Sequence, residues 1–105
     1  MNKKTNTIDL INKYNIIIFI KGERKQPQCR FSAIVINIFN ELNVKYHTIN
    51  VLKDYSIIKE IKDYSNWPTI PQIYISGQFI GGSDIIKELY KTSRLQEILE
   101  IHLSS

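Results

Sequence analysis

Residues 15–42 read NIIIFIKGERKQPQCRFSAIVINIFNEL, and this stretch decides the fold class. It opens on the unbroken apolar run Ile16–Ile20, whose β-branched and aromatic side chains are typical of a strand buried on both faces. A charged loop with one glycine and one proline follows over residues 21–28. Apolar residues then recur at helical spacing and predict a helix over residues 30–42. Strand, loop and helix in this order indicate an α/β domain.

The segments on either side extend this alternation. Residues 46–51 alternate in polarity and predict a second strand, and so short a strand–helix–strand unit implies parallel pairing through a right-handed crossover. Gln72–Ile75 and residues 78–80 predict two antiparallel strands joined by a tight turn at Ser76 and Gly77. Four further helices are predicted, over residues 8–13 with Thr7 as cap, from Asp54 or Ser56 to near Tyr64, from Ser83 or Asp84 through Tyr90, and over residues 95–102. The predicted order is α-β-α-β-α-β-β-α-α.

Length and composition fit a single soluble domain over residues 1–105, with 43% hydrophobic and 23% charged residues. No apolar run reaches the roughly 18 residues that a membrane span needs, and residues 1–7 are polar, unlike a signal peptide. We therefore expect a cytoplasmic protein with no membrane partner. The net charge of +4 comes from scattered cations accompanied by acids, which argues against a nucleic-acid partner.

Cys29 is the single cysteine, so no internal disulfide can form and any thiol chemistry needs a second thiol from outside. It lies where a loop enters a helix, and free backbone N–H groups and the helix dipole favour a thiolate there. Nearby cations, which lower the pKa of a thiol, are Lys21, Arg24, Lys25 and Arg30. The alternative is a buried cysteine that acts as a small hydrophobic residue. The proline-containing loop favours the exposed, reactive thiol.

Two other motifs could build a ligand site. Residues 67–72 read WPTIPQ, in which Pro71 directly precedes a strand and, if cis, turns the neighbouring backbone outward towards a ligand. A plain proline-rich turn before an edge strand explains this motif equally well. Residues 81–84 read GGSD, and free N–H groups at the following helix start could bind a carboxylate or phosphate. His47 and His102 lack the spacing of a metal site.

Together, four motifs resemble those of the monothiol glutaredoxin family, in order and with the family's loop lengths, over nearly the whole chain. They are Lys21-Gly22, residues 27–32 (PQCRFS), residues 67–72 (WPTIPQ) and residues 81–84 (GGSD). The resemblance implies a thioredoxin fold, with a four-stranded mixed β-sheet flanked by helices. It also implies a cis Pro71 and a glutathione groove beside Cys29.

The resemblance further implies a set of glutathione-binding residues. The Lys21 ammonium would pair with a glutathione carboxylate, and the Ile70 backbone would bond the cysteinyl part. Ser83 with Asp84 would hold the γ-glutamyl end, and Phe31 and Thr69 would line the groove. Beyond Lys21 and Ile70, the set consists of Phe31, Thr69, Pro71, Gly82, Ser83 and Asp84. Cys29 would be both the catalytic thiol and the metal ligand.

Two positions depart from the family pattern. Arg30 stands where the family usually has the glycine of Cys-Gly-Phe-Ser, so a bulky cation lies where a partner's backbone would approach closely. Ile58 stands where the family tends to carry an arginine that contacts a glutathione carboxylate, and Lys59 is the neighbouring cation that could replace it. We therefore expect altered cluster or dimer geometry and weaker glutathione binding.

The main functional prediction is an iron–sulfur carrier. A [2Fe-2S] cluster is normally held by four thiolates, and one chain offers only Cys29, so two chains and two glutathiones complete the set. We expect a homodimer that bridges one cluster and takes part in its assembly or its transfer to apo iron–sulfur proteins. The resemblance also implies a heterodimer with a BolA-type protein.

Two other hypotheses compete with this prediction. In glutathione-dependent thiol–disulfide exchange, the Cys29 thiolate attacks a glutathionylated protein and free glutathione regenerates the thiol. We rank this activity second, because the Phe31-Ser32 context resembles the cluster-binding branch of the family. A thioredoxin-fold adaptor would bind a partner protein without any chemistry, and its binding would survive Cys29→Ser.

Overall fold

The computed structural model describes residues 6–103, in which helices surround a four-stranded sheet. Residues 1–5, part of the polar stretch 1–7 named above, lie outside the described residues. In chain order the elements are α1 (Thr7–Lys13), β1 (Ile16–Ile20), β2 (Gly22–Glu23), β3 (Gln26–Pro27), α2 (Arg30–Glu41), β4 (His47–Asn50), a 3₁₀ turn (Val51–Lys53), α3 (Tyr55–Ser65), β5 (Gln72–Ile75), β6 (Gln78–Gly81), α4 (Ser83–Lys91) and α5 (Arg94–Leu103). Within this part of the chain, no helix has the length and apolar character needed to cross a bilayer.

Strand β1 lies inside the sheet because all five of its side chains are apolar and can be covered on both faces. The strand order is β4-β1-β5-β6. β1 pairs in parallel with β4 and antiparallel with β5, and β6 pairs antiparallel with β5. The turn between β5 and β6 has positive φ at both Ser76 (50°) and Gly77 (79°), as a tight hairpin requires. The predicted mixed sheet is therefore confirmed.

The side chains of β1 divide the core between the two faces of the sheet. Ile16, Ile18 and Ile20 pack with buried residues of α2, α4 and α5. Ile17 and Phe19 pack with buried residues of α1, α3 and the 3₁₀ turn. Each of these five side chains is at most 1% exposed. The sheet is thus covered by helices on both sides, as the continuous apolar run predicted.

Three local predictions were wrong: the cap of α1, the loop over residues 21–28 and the length of the second strand. Asn6 rather than Thr7 caps α1, since its side-chain oxygen accepts from the Ile8 N–H at 2.8 Å. Thr7 is instead helical, and its hydroxyl donates to the Glu60 carboxylate. Residues 21–28 are not a plain loop, because β2 and β3 form a short hairpin there. The strand predicted over residues 46–51 is shorter, since residue 51 already begins the 3₁₀ turn.

The start of α4 also differs from its prediction. Neither Ser83 nor Asp84 is the cap, because both are already helical and Gly82 occupies the cap position with an extended backbone. Gly82 has no side chain, so α4 begins without a side-chain cap. At α3 the prediction of Asp54 is confirmed, since its carboxylate accepts from the Ser56 N–H at 3.1 Å.

Candidate functional site

One groove of about 500 Å³ lies beside the start of α2. Three connections of the fold contribute to it: the loop from β1 to α2, the segment before β5, and the start of α4. Its lining consists of Lys21, Cys29, Phe31, Ile58, Lys62, Pro68, Thr69, Ile70, Pro71, Ser83 and Asp84. The fold therefore brings together eight of the nine residues named from the sequence. The ninth, Gly82, is buried behind the groove, where an added Cβ would lie 3.2 Å from the Pro71 carbonyl oxygen.

A cavity of similar volume, about 510 Å³, lies between the end of α2 and α5. Its lining contains no cysteine, lysine or histidine, and it consists of Leu42, Val44, Gln96, Glu97, Leu99, Glu100 and Leu103. The chemistry that the sequence pointed to therefore belongs to the groove at Cys29 and not to this cavity.

Cys29 occupies the cap position of α2 with an extended backbone (φ −144°, ψ 132°), and its side chain makes no capping hydrogen bond. Its carbonyl oxygen accepts from the Ala33 N–H at 2.9 Å and so closes the first turn of the helix. The Ser32 hydroxyl accepts from the Lys21 N–H at 3.2 Å and ties the end of β1 to the start of α2. The thiol is partly exposed and opens into the groove, so a fully buried cysteine is excluded.

The pKa of Cys29 lies below its ordinary value. Burial is the largest single cause and raises this pKa, but the backbone N–H groups of Ser32 and Phe31, the Ser32 hydroxyl and the charge on Lys21 together outweigh it. A larger fraction of the thiol is therefore ionised at neutral pH, which makes it a better nucleophile and metal ligand.

The cations that the sequence placed around this thiol do different things in the structure. Lys21 acts on the pKa of Cys29. Arg24 is drawn away from it, because its guanidinium lies 3.9 Å from the Tyr46 ring centroid and donates to the Tyr46 carbonyl. Arg30 is exposed, and its guanidinium lies 5.5 Å from the ring centroid of Phe31.

The segment before β5 is held by a side chain that the sequence interpretation gave no role. The Ile70–Pro71 peptide bond is cis, as the resemblance implied. Gln72 is fully buried, and its amide donates to the carbonyl oxygens of Trp67 and Thr69 at 3.2 and 3.3 Å. Its own oxygen accepts from the Tyr74 hydroxyl at 2.9 Å. Gln72 thereby positions this wall of the groove, and a polar residue at the start of a strand of buried apolar residues was the signal for it.

The charges of the groove come from two lysines and one carboxylate, Lys21, Lys62 and Asp84. Lys59, the cation expected to replace the missing arginine, is not in the lining and forms an ion pair with Asp63 at 2.9 Å. Lys62 enters the groove instead and was missed. It follows Ile58 by four positions, and residues at this spacing share one face of a helix. That spacing is the signal that could have identified it.

Comparisons with known proteins agree with this geometry. The glutaredoxin family model matches residues 16–80. The protein named uncharacterized monothiol glutaredoxin ycf64-like, from Synechocystis, is 49% identical over the full length of both chains. The solution structure of reduced poplar apo GrxS14 is 39% identical, with a TM-score of 0.81 over 92% of this chain and 89% of that one.

A third similarity concerns the fold alone. The crystal structure of a buckwheat glutaredoxin–glutathione complex has a TM-score of 0.78 at 24% identity, over 88% of this chain and 82% of that one. It shares the sheet with its flanking helices, in agreement with the strand order described above. Since the family model and the relatives cover most of the chain, this protein has the thioredoxin fold and belongs to the monothiol glutaredoxin family.

Proposed function

We propose that this chain uses Cys29 and glutathione to hold a [2Fe-2S] cluster between two copies of itself and to pass that cluster on to apo iron–sulfur proteins. The observation that carries the proposal is the partly exposed Cys29 thiol, with its lowered pKa, opening into a groove lined by lysines. An ionised sulfur is what an iron ion requires of a protein ligand.

The charges and backbone groups of the groove support glutathione as its ligand. Its glycine carboxylate would pair with Lys21 and Lys62, and its cysteinyl part would bond the backbone of Ile70. Its γ-glutamyl carboxylate would lie at the start of α4, which has no side-chain cap, near Gly82 and Ser83. Its ammonium group would pair with the exposed Asp84. The groove residues that complete the contact are Phe31, Thr69 and Pro71.

Two neighbouring lysines test this placement of glutathione. Lys62→Met should weaken glutathione binding about fivefold, because one charge partner of the carboxylate is lost. Lys59→Met is the matched control, since Lys59 lies on the same helix but is paired with Asp63 outside the groove. Isothermal titration calorimetry with glutathione measures both variants. Equal affinities in the two variants would contradict a role for Lys62.

Four sulfur ligands are needed for the cluster, and each chain supplies one cysteine. Two chains and two glutathiones therefore complete the ligand set. Half of these ligands are small molecules that can leave, so the cluster is released by ligand exchange to an apo protein. A BolA-type protein is a second proposed partner, and a cytoplasmic location is proposed for the assembly.

Anaerobic reconstitution with iron, sulfide and glutathione tests the proposal. The wild-type protein should develop visible absorption from the cluster, and the same treatment of Cys29→Ser should not. Absence of the chromophore in the wild type, or its persistence in Cys29→Ser, contradicts cluster binding at this site. Omitting glutathione is the second control and should also prevent the absorption.

A second candidate function is supported by the lowered pKa of Cys29. A thiolate can attack the glutathione sulfur of a glutathionylated protein, which releases the protein thiolate and leaves Cys29 in a disulfide with glutathione. A second glutathione thiolate then attacks this disulfide, giving oxidised glutathione and the free Cys29 thiolate. A deglutathionylation assay separates the two functions, since rapid turnover without a chromophore would favour the oxidoreductase.

A further inference from the structure

The residue after the reactive cysteine places a positive charge at the rim of the groove. Arg30 is the first residue of α2 and is exposed. Its guanidinium lies 5.5 Å from the ring centroid of Phe31, a side chain that is 46% exposed and lines the groove. We call these two side chains the Arg30–Phe31 rim. A partner that brings a sulfur to Cys29 must come close to this rim.

The charge on this rim is not neutralised within the described residues 6–103. The ion pairs there join Lys53 to Glu23 and Lys59 to Asp63, and no carboxylate pairs with Arg30. Two of the three charged residues that line the adjacent groove are lysines. The surface around Cys29 therefore combines unpaired positive charge with an exposed aromatic ring. Arginine and aromatic residues are enriched in the buried centres of protein interfaces.

We propose that the Arg30–Phe31 rim selects partners whose contacting face is acidic, namely proteins that present aspartate or glutamate around the sulfur they offer to Cys29. The inference rests on the proposed function, since it concerns the partners of the same thiol. Opposite charges across such a face speed the encounter and fix its register, and like charges oppose it.

A second copy of the chain is the unfavourable partner on the same grounds. In a symmetric dimer the same patch of each copy faces the other, so pairing through the two Cys29 sulfurs brings one rim against the other. Arg30 of one copy then lies opposite Arg30 of the other, and the two positive charges repel each other. An acidic partner protein replaces this repulsion by an ion pair. The homodimer is therefore weakened by Arg30 and a dimer with an acidic partner is strengthened.

Single-turnover exchange with two short peptides tests the inference. Each peptide carries one cysteine in a disulfide with glutathione, flanked on both sides by glutamates or by lysines. The Cys29 thiolate attacks the glutathione sulfur and the peptide leaves as a thiolate, so one S–S bond forms as one breaks. We expect the glutamate peptide to react about fivefold faster than the lysine peptide, and added salt to reduce this ratio.

Charge variants assign the preference to Arg30. Arg30→Gln should lower the ratio of the two rates about threefold, and Arg30→Glu should lower it further. Arg94→Gln is the matched control, because Arg94 is also an exposed first residue of a helix but lies outside the groove. The same ratio in Arg30→Gln as in the wild type overturns the inference and leaves the proposed function intact. No reaction of either peptide also overturns the inference, because the rim then selects no disulfide partner, and the proposed cluster binding is tested separately by reconstitution.

A mixing experiment tests the second copy. Wild-type and Arg30→Glu proteins are reconstituted together with iron, sulfide and glutathione, and the dimers are counted by native mass spectrometry. Random pairing gives equal numbers of mixed dimers, with one chain of each kind, and unmixed dimers. We expect the ratio of mixed to unmixed dimers to be about three instead of one. Random pairing of the cluster-loaded chains would show that Arg30 does not face its counterpart, and it would overturn this part of the inference.

Discussion

The starts of α1 to α4 and of the 3₁₀ turn fall into two groups, those away from the groove and those that face it. Away from the groove, the side chains of Asn6 and Asp54 accept from backbone N–H groups of α1 and α3, and Asn50 does so for the 3₁₀ turn. At the groove, Cys29 and Gly82 occupy the same position on α2 and α4, and neither provides a side-chain hydrogen bond.

This difference lowers the stability of the starts of the two groove-facing helices. A good side-chain cap stabilises a helix by about 1 kcal/mol relative to a residue that cannot accept a hydrogen bond. The two groove-facing helices forgo that contribution, and their first N–H groups stay available to an anion. At α2 that anion is the Cys29 thiolate, whose pKa the N–H groups of Ser32 and Phe31 lower. At α4 we propose that it is a carboxylate of glutathione.

Replacing the thiol should give the largest effect and separate function from stability. Cys29→Ser should lose cluster binding and glutathione exchange completely. It should nevertheless be more stable than Cys29→Ala by about 1 kcal/mol, because a serine hydroxyl can accept from the N–H groups at the start of α2. Urea unfolding of the two variants measures the difference. Equal stability would show that the start of α2 gains nothing from a side-chain cap.

Filling the space at Gly82 should have the next largest effect. In Gly82→Ala the new Cβ lies 3.2 Å from both the Pro71 carbonyl oxygen and Trp67 Nε1, so the start of α4 and the wall before β5 must move apart by a few tenths of an ångström. We expect the Kd for glutathione to rise about tenfold, as measured by calorimetry.

Gly77→Ala is the control for this substitution. Gly77 has a φ of 79° in the turn between β5 and β6, so alanine there should cost about 1 kcal/mol of stability without changing glutathione affinity. An unchanged Kd in Gly82→Ala would contradict the proposed closeness of glutathione to the start of α4.

Removing a cap away from the groove should affect stability alone. Asp54→Ala deletes the bonds that its carboxylate accepts from the Ser56 N–H and hydroxyl. We expect a loss of about 1 kcal/mol in the free energy of unfolding, with the affinity for glutathione unchanged. Thermal unfolding and calorimetry on the same sample provide both values. A change in affinity would mean that the two groups of helix starts are coupled.

The smallest expected effect concerns pH. The rate of Cys29 alkylation by iodoacetamide should rise with a midpoint below the usual pKa of a cysteine thiol. Lys21→Gln should move this midpoint upward slightly, since the Lys21 charge is one of several causes that lower the pKa of Cys29. A midpoint at or above the usual value would contradict the stabilised thiolate.

The same shift links stability to pH. Because the pKa of Cys29 is lower in the folded chain, its ionisation stabilises the fold fully above the pKa of the unfolded chain. This contribution is lost as the pH falls through the folded pKa. The free energy of unfolding of the wild type relative to Cys29→Ala should therefore increase with pH between the folded and the unfolded pKa of Cys29. Urea unfolding of both proteins at several pH values measures this increase.

The strongest patterns in the sequence were enough to predict the architecture. The unbroken apolar run of β1 can only be covered on both faces, and the apolar stripe of α2 matches one of those faces. Ser76-Gly77 between two short strands identified the hairpin, because a tight turn needs residues with positive φ and glycine adopts such a φ easily. These features are local and strongly constrained, so the sequence alone was sufficient.

Local competition between side chains was harder to predict. Asn6 and Thr7 are both good capping residues, and the choice between them depends on Glu60, which is distant in sequence and bonds Thr7. Arg24 leaves the cysteine because the Tyr46 ring is available to it. Lys62 rather than Lys59 enters the groove because of the way α3 packs on the sheet. For the cap of α1 and for Arg24, the deciding contact comes from a residue distant in sequence, whereas the spacing of Ile58 and Lys62 was a local signal.

Native mass spectrometry of the anaerobically reconstituted protein shows whether two chains and two glutathiones share one cluster. We expect a single loaded species with the mass of two chains, two glutathiones and one [2Fe-2S] cluster, and no such species from Cys29→Ser. A loaded monomer, or a loaded dimer that contains no glutathione, would contradict the claim that Cys29 finds its missing sulfur ligands in glutathione and a second subunit.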